Sequence, residues 1–247
     1  MELENNNSVT WKIGDIVLIL LLMQLAAVAY TSRGYLLVER IWASFTTRPI
    51  DAVVATIIGG FIQAGLIILM VVLLVRYIRR TGLNRLGFSS GESSPARILV
   101  SGIVGGVLLL LVVTITAIII YILIQNRLPL EQQTVVEAIA SAGSWQDLSL
   151  LLLVVAVLAP LSEEMLFRGL LYGWLRQRLG ITAGIWLSGL VFAAFHFDLV
   201  RFLPLMLGGA GLAYLYQRTG SLYTSILAHA VWNSVMTVAV RWMGMGG

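Results

Sequence analysis

Long apolar runs are the feature that most constrains how this 247-residue chain folds. A transmembrane helix needs about 20 predominantly apolar residues. Seven runs approach or exceed that length, and charged or polar turns separate them: residues 13–30, 52–78, 98–124, 148–174, 181–197, 199–216 and 222–242. The last four are joined by very short turns, which favours packing as antiparallel neighbours. We therefore predict an all-α, polytopic membrane helix bundle of seven or eight spans with additional interfacial helices, forming a single domain over residues 1–247.

The composition agrees with a membrane protein. Hydrophobic residues make up 59% of the chain and charged residues 11%, against about 25% charged residues in ordinary soluble domains. The calculated pI of 9.7 could indicate nucleic-acid binding. However, Lys12 is the single lysine and the arginines are spread among short loops, a pattern typical of membrane topology. We therefore expect the lipid bilayer, and no nucleic acid, as a partner. The absence of cysteine excludes disulfides, thiol catalysis and cysteine-held metals.

Charged residues in the loops give an orientation. A cytoplasmic N-terminus would place nine cations inside and six outside, which weakly favours this topology. The first run resembles a signal peptide in length, but an acidic, asparagine-rich region precedes it, so we predict a retained helix. Residues 33–45 have the apolar spacing of a helix lying in the interface. Residues 128–145 are either a second interfacial helix, suited to gating, or a solvated connector.

Ionisable residues are concentrated inside the last four runs: Glu163, Glu164, Arg168, His196 and His229. A charged side chain at the centre of a membrane helix costs roughly 2.5 to 3.5 kcal/mol, so such residues indicate a function and a partner. Glu164 and Arg168 are spaced i, i+4, which predicts a structural ion pair. Glu163 is rotated by about 100° from Glu164 around the helix, so it can face the neighbouring spans as a candidate base.

The two histidines of the chain lie on separate spans. His229 and Asn233 are spaced i, i+4 and share one helix face, as do Phe192 and His196. A membrane histidine on its own is more often an interhelical hydrogen-bond donor than a catalyst. The combination of both histidines, a free glutamate and an asparagine in four consecutive spans favours a compact site.

These segments resemble a known family. "EEMLFR", "FAAFH" and "HAVWN" fit the ordered motifs EExxxR, FxxxH and HxxxN of the CPBP intramembrane proteases, which include the Ras-converting type of CAAX prenyl endopeptidase. The motifs fall within residues 148–242. The resemblance implies a helix bundle with an internal catalytic cavity, and hydrolysis of a peptide bond in a membrane-associated protein or peptide, such as a CAAX tail or a bacteriocin leader.

The resemblance also implies roles for individual residues. Glu163 would activate water with His196 beside it, and His229 and Asn233 would stabilise the oxyanion. Glu164 and Arg168 match the supporting ion pair.

Metal dependence stays open at this point. Members of the family are commonly described as metalloproteases, and Glu163, His196 and His229 could together hold zinc. The soluble zinc-protease pattern HExxH is absent, and a glutamate bound to metal would leave no free base. We favour a mechanism without a cofactor and keep zinc as the alternative.

Other functions are compatible with the same residues. A non-proteolytic bacteriocin-immunity or membrane interaction protein would use the motif residues only to hold the bundle together. A proton-coupled transporter fits less well, because the chain has no detectable inverted repeat. For the protease we expect a multi-pass location in a bacterial plasma membrane.

Overall fold

The computed structural model describes residues 10–90, 93–124 and 134–244, and within these ranges it contains helices and no strand. The eight principal helices are α1 (Ile13–Ala43), α2 (Ala52–Ile78), α3 (Pro95–Ile124), α4 (Thr134–Ser141), α5 (Trp145–Leu179), α6 (Ile181–Ala194), α7 (Phe202–Thr219) and α8 (Leu222–Gly244). A short 3₁₀ turn, Leu83–Leu86, lies between α2 and α3. The predicted all-α class is confirmed.

Four of the described helices, α1, α2, α3 and α5, are long and apolar enough to cross a membrane. Helix α6 is apolar but has 14 residues. The exposed surface of α3 consists largely of Leu, Ile and Val side chains, which is expected where a helix faces lipid. The chain is a multi-pass integral membrane protein, as predicted. The number of seven spans stays a prediction.

Some predicted boundaries differ from the structure. Residues 35–43 are helical, in agreement with the helix predicted for residues 33–45, but they continue from the first predicted run through a π-helical turn at Tyr30–Gly34, so α1 ends at Ala43. This turn contains no residue that forces a break: Gly34, its one glycine, has φ −62° and stays helical. Helix α6 ends at Ala194, three residues before the predicted end of its run, so His196 lies in the turn that follows.

Helix α4 belongs to residues 128–145, the segment interpreted above either as an interfacial helix or as a solvated connector. Residues 128–133 of that segment lie outside the described residues. Ala138 and Ile139 on α4 are buried in a small core with Val53 and Leu151, so α4 packs on the bundle. The Arg241 guanidinium of α8 donates a hydrogen bond to the Ala140 carbonyl at 2.9 Å. The helical part of the segment is therefore held by contacts with three other helices.

Close helix packing brings the C-terminal helices together. A Cβ atom built on Gly189 of α6 would lie 2.5 Å from the Met206 carbonyl oxygen and 2.7 Å from the Ala210 nitrogen, both backbone atoms of α7. Because backbone atoms cannot rotate away, only glycine permits this approach. It brings the α7 backbone close to the motif residues of α5 and α6.

Hydrogen bonds and ion pairs define the two ends of the bundle. At one end, Arg79 after α2 binds Asp15 of α1 at 2.7 and 2.9 Å, and the Leu222 N–H donates to the Gly87 carbonyl at 2.8 Å. This end, with the starts of α1, α3, α6 and α8, is called the basic end below. At the opposite end Arg48 binds Asp147 of α5 at 2.7 Å.

Candidate active site

The carboxylates of the first motif lie on an irregular part of α5. Leu153–Leu158 and Met165–Tyr172 are π-helical, and Ala159–Glu164 between them is α-helical. Single π-helical turns are frequent at functional sites because they widen the helix and re-aim its side chains. Pro160 lacks an N–H and lies five residues after Val155, the spacing of a π-helical hydrogen bond. The Val155 carbonyl is thus left to a partner from another helix.

Glu164 and Arg168 form a fully buried ion pair. Arg168 Nη1 lies 2.9 Å from Glu164 Oε1, and both side chains have 0% exposure. Arg168 Nη2 also donates to the Gly209 carbonyl of α7 at 2.9 Å, and its Cζ atom lies 4.7 Å from the Phe192 ring centroid. A buried charge is tolerated when it is paired and hydrogen-bonded in this way. The pair connects α5 to both α6 and α7.

Glu164 also holds His229 of α8. The Nδ1 atom of His229 lies 2.9 Å from Oε1 of Glu164, the oxygen that Arg168 binds. An ionised carboxylate only accepts hydrogen bonds, so Nδ1 carries the proton. The Nε2 atom then points away from Glu164 and lies 3.9 Å from Oε2 of Glu163. Glu164 therefore sets the orientation of the His229 ring toward Glu163.

Glu163 is the accessible acid of the cluster. Its side chain is 18% exposed, whereas that of Glu164 is fully buried. Arg168 contributes one positive charge to a group that contains two carboxylates. A His229 ring protonated on both nitrogens would bring the four side chains to neutrality.

His196 approaches the cluster from the end of α6 through Phe192. The Phe192 ring centroid lies 4.6 Å from that of His196 and 5.9 Å from that of His229. His196 is exposed, and its Nδ1 atom lies 2.8 Å from the Phe192 carbonyl oxygen. Because a carbonyl only accepts, Nδ1 is protonated and Nε2 is a free acceptor. Among the described residues His196 forms no hydrogen bond or ion pair with Glu163, and its ring contact is with Phe192.

Asn233 lies one helical turn after His229 on α8. Its Nδ2 atom donates a hydrogen bond to the Val155 carbonyl at 2.8 Å. This is the carbonyl that Pro160 leaves without an intrahelical donor. A carboxamide nitrogen has two N–H groups, so one remains for another acceptor.

The arrangement offers little support for the zinc set considered from the sequence. Glu163 and His229 converge, but no group of three or more His, Cys, Asp or Glu side chains in the described ranges is placed to hold a metal ion. The His196 ring is displaced to the turn after α6. The predicted residues Glu163, His196 and His229 therefore do not form a metal site as they are arranged here, and the mechanism below uses the side chains alone.

Three contacts of the site were not foreseen from the sequence. They involve the Gly209 carbonyl, the Val155 carbonyl and the face of the Phe192 ring. Phe192 is the first residue of the second motif, and this position was the sequence feature that could have predicted its place in the site. The two carbonyls have no side-chain signal, although a proline at position 160 has no N–H and so leaves a carbonyl of the preceding turn without a donor.

The fold and the site together define a multi-pass membrane protein whose helices enclose an acid–histidine cluster. Residues 145–235 match the family described as "Type II CAAX prenyl endopeptidase Rce1-like". This range contains all three motifs, and the resemblance to the CPBP intramembrane protease family is thereby confirmed.

A curated protein is similar to part of the chain. The chain is similar to "Putative membrane peptidase YdiL" of Bacillus subtilis (strain 168), with 28% identity over 93 residues. The alignment covers 38% of this chain and 38% of that protein. No solved structure matches the chain significantly.

Proposed function

We propose that this protein is an intramembrane endopeptidase that hydrolyses a peptide bond in a membrane-associated protein or peptide. The observation that carries the proposal is the placement of Glu163. It is a partly accessible carboxylate 3.9 Å from a histidine Nε2 whose ring is held by a second, buried carboxylate. A protein that used these residues only to hold its helices together would not need a Glu163 side chain that is accessible to solvent. The family match supports the same reaction class.

Glu163 is the general base of the proposed reaction. Its carboxylate accepts a proton from a water molecule while the water oxygen bonds to the substrate carbonyl carbon. The carbonyl oxygen becomes an oxyanion. The carboxylic acid of Glu163 then gives the proton to the departing amine nitrogen as the C–N bond breaks, which restores the carboxylate. His196 Nε2, the free acceptor of that ring, helps to orient the water.

His229 and Asn233 are the proposed oxyanion donors. The Nδ1–H of His229 already donates to Glu164. Donation to the oxyanion through Nε2 therefore requires a ring protonated on both nitrogens, the state in which the charges of Glu163, Glu164, Arg168 and His229 sum to zero. The second N–H of the Asn233 carboxamide is the other donor. Removing one such donor typically slows turnover by about 10²- to 10³-fold.

The test compares Glu163→Gln and Asn233→Ala with the wild-type chain after reconstitution into lipid. The probes are three peptides: a farnesylated peptide with a CAAX terminus, its unmodified form, and a bacteriocin-type leader. We expect at least one to be cleaved by the wild type, with cleavage lost in Glu163→Gln. Folded Glu163→Gln protein that cleaves at the wild-type rate would contradict the proposal. Which peptide is cleaved identifies the substrate class.

The same assay addresses zinc. Dialysis against a chelator, followed by measurement of bound metal and of cleavage, is expected to leave cleavage unchanged. Loss of cleavage that zinc alone restores would contradict the metal-free mechanism.

A further inference from the structure

Among the described residues, the basic end of the bundle carries far more positive than negative charge. Its described cations are Lys12, Arg76, Arg79, Arg80, Arg85, Arg97, Arg176, Arg178 and Arg218. Asp15 is the one carboxylate among the described residues of this end, and Arg79 binds it. The opposite end has five described arginines (Arg33, Arg40, Arg48, Arg201 and Arg241) and five described carboxylates (Glu39, Asp51, Glu137, Asp147 and Asp198). Within the described ranges, net positive charge therefore lies at the basic end, where it attracts anions.

Two of these cations line a cavity at the basic end. It has a volume of about 360 Å³ and is lined by Arg76, Tyr77, Arg80, Thr81 and Gly82, where α2 ends. Arg76 and Arg80 are exposed, and neither forms an ion pair with a described carboxylate. Two guanidinium groups that line one concave surface supply positive charge and N–H donors suited to a phosphate group.

The backbone at Arg80 is unusual. Arg80 has φ +49°, in the left-handed region that helix ends usually fill with glycine. Around it the Arg79 N–H donates to the Leu74 carbonyl at 2.8 Å and the Thr81 N–H to the Val75 carbonyl at 2.9 Å, which closes the helix. An arginine in this position is strained where glycine would not be.

An apolar track leads from the cavity along α2. Leu69, Leu73 and Tyr77 are spaced i, i+4, i+8, so they lie on one helix face, and they are 52%, 43% and 71% exposed. A free phosphate ion makes no use of such a track. A phospholipid would place its head group in the cavity and an acyl chain along the track.

We propose that this cavity binds the phosphate-bearing head group of an anionic membrane phospholipid. Arg76 and Arg80 bind the phosphate, and Tyr77 lies where the head group meets the acyl chain. The predicted topology places the basic end in the cytoplasm, where anionic lipids attract basic residues at the membrane surface. The site lies on α2, apart from the acid–histidine cluster, so it stands independently of the proposed protease activity.

The test measures lipid binding to the purified full chain in neutral detergent by native mass spectrometry and by melting temperature. Phosphatidylglycerol is titrated against phosphatidylcholine with the same acyl chains and against inorganic phosphate. Phosphatidylglycerol is expected to bind and to raise the melting temperature, and the other two to have little effect. Equal stabilisation by phosphatidylcholine, or by inorganic phosphate alone, would overturn the proposal.

Paired variants locate the site. Arg76→Gln with Arg80→Gln is expected to weaken phosphatidylglycerol binding by roughly 30-fold, since each arginine beside the bound head group adds about a fivefold gain in affinity. The matched control removes two exposed arginines of the same end, Arg178→Gln with Arg218→Gln, and is expected to change binding less than threefold. An equal loss in both double variants would show attraction by net charge alone and would overturn the proposal.

A single variant separates binding from folding. Arg80→Gly removes one cation and relieves the left-handed backbone, so the lipid-free protein is expected to melt at the same or a higher temperature. Its affinity for phosphatidylglycerol is expected to fall by about fivefold. Unchanged affinity in this well-folded variant would contradict a role for Arg80.

Discussion

His229 Nδ1 lies 2.9 Å from Oε1 of Glu164, a carboxylate that is itself fully buried. One carboxylate oxygen therefore joins a cation of its own helix to the ring of another helix. Glu164 is adjacent in sequence to the proposed base but does different work, since it fixes the His229 ring and balances the charge of Arg168.

Glu164→Gln tests this arrangement. The substitution leaves Arg168 as an unpaired buried cation, so we expect the free energy of unfolding to fall by about 3 to 5 kcal/mol. The control is Asp51→Asn, which breaks the ion pair with Arg48 at 3.3 Å and keeps a side chain that can cap α2. The Arg48 and Asp51 side chains are 40% and 47% exposed, and such pairs contribute about 1 kcal/mol or less. Denaturant unfolding in detergent measures both. Equal losses in the two variants would contradict the importance of the buried pair.

Asn233 is expected to have two separable roles. Asn233→Ala removes the donor to the Val155 carbonyl and should cost about 1 to 3 kcal/mol of stability. Pro160→Ala supplies an N–H at the π-helical spacing from Val155, so the cost of Asn233→Ala should fall by at least half in that background. A double-mutant cycle of unfolding free energies measures this coupling. Additive costs would contradict it.

Activity distinguishes the second role of Asn233. The double variant Pro160→Ala with Asn233→Ala should regain stability but stay about 10²- to 10³-fold slower than Pro160→Ala in peptide cleavage, because the proposed oxyanion donor is still missing. Recovery of cleavage together with stability would show that Asn233 has only a structural role.

Much of this architecture could be predicted from the sequence because it depends on local patterns. Apolar length alone located α2 at residues 52–78, as observed, and i, i+4 spacing brought Glu164 next to Arg168. The motifs likewise indicated which helices meet. In each case the information lies within one or two turns of helix.

Other features depend on contacts between distant residues, which no local pattern encodes. No apolar or charge pattern in the sequence marks the continuation of α1 past Tyr30 or the π-helical turns of α5. The Gly209 carbonyl reaches Arg168 only because α7 closely approaches α6. Helical spacing likewise could not predict that His196 lies in a turn rather than on a helix face.

The approach of α6 to α7 is itself testable. Gly189→Ala would place a Cβ atom 2.5 Å from the Met206 carbonyl oxygen, so the helices must separate, and we expect a loss of about 1 to 3 kcal/mol. Gly65→Ala on α2 is the control, since a Cβ atom there meets nothing within 4 Å. Alanine favours the helix by about 0.8 to 1.0 kcal/mol over glycine, so this variant should melt at the same or a higher temperature. A stable Gly189→Ala protein would contradict the close packing.

The two histidines should respond differently to truncation. His196 is exposed and its one described hydrogen bond is to the Phe192 carbonyl within its own turn, so His196→Ala should change stability by less than about 0.5 kcal/mol. His229 is buried and bound to Glu164, so His229→Ala should cost about 1 to 3 kcal/mol.

Both histidine variants should nevertheless lose cleavage. A positioned acid–base group contributes typically 10²- to 10⁴-fold. We expect His196→Ala to lower kcat within this range while KM changes little, because the role proposed for the ring is to orient water rather than substrate. Steady-state kinetics on whichever peptide the wild type cleaves, together with denaturant unfolding, measures both quantities. A folded His196→Ala protein with wild-type kcat would remove His196 from the mechanism and leave Glu163 as the only group that activates water.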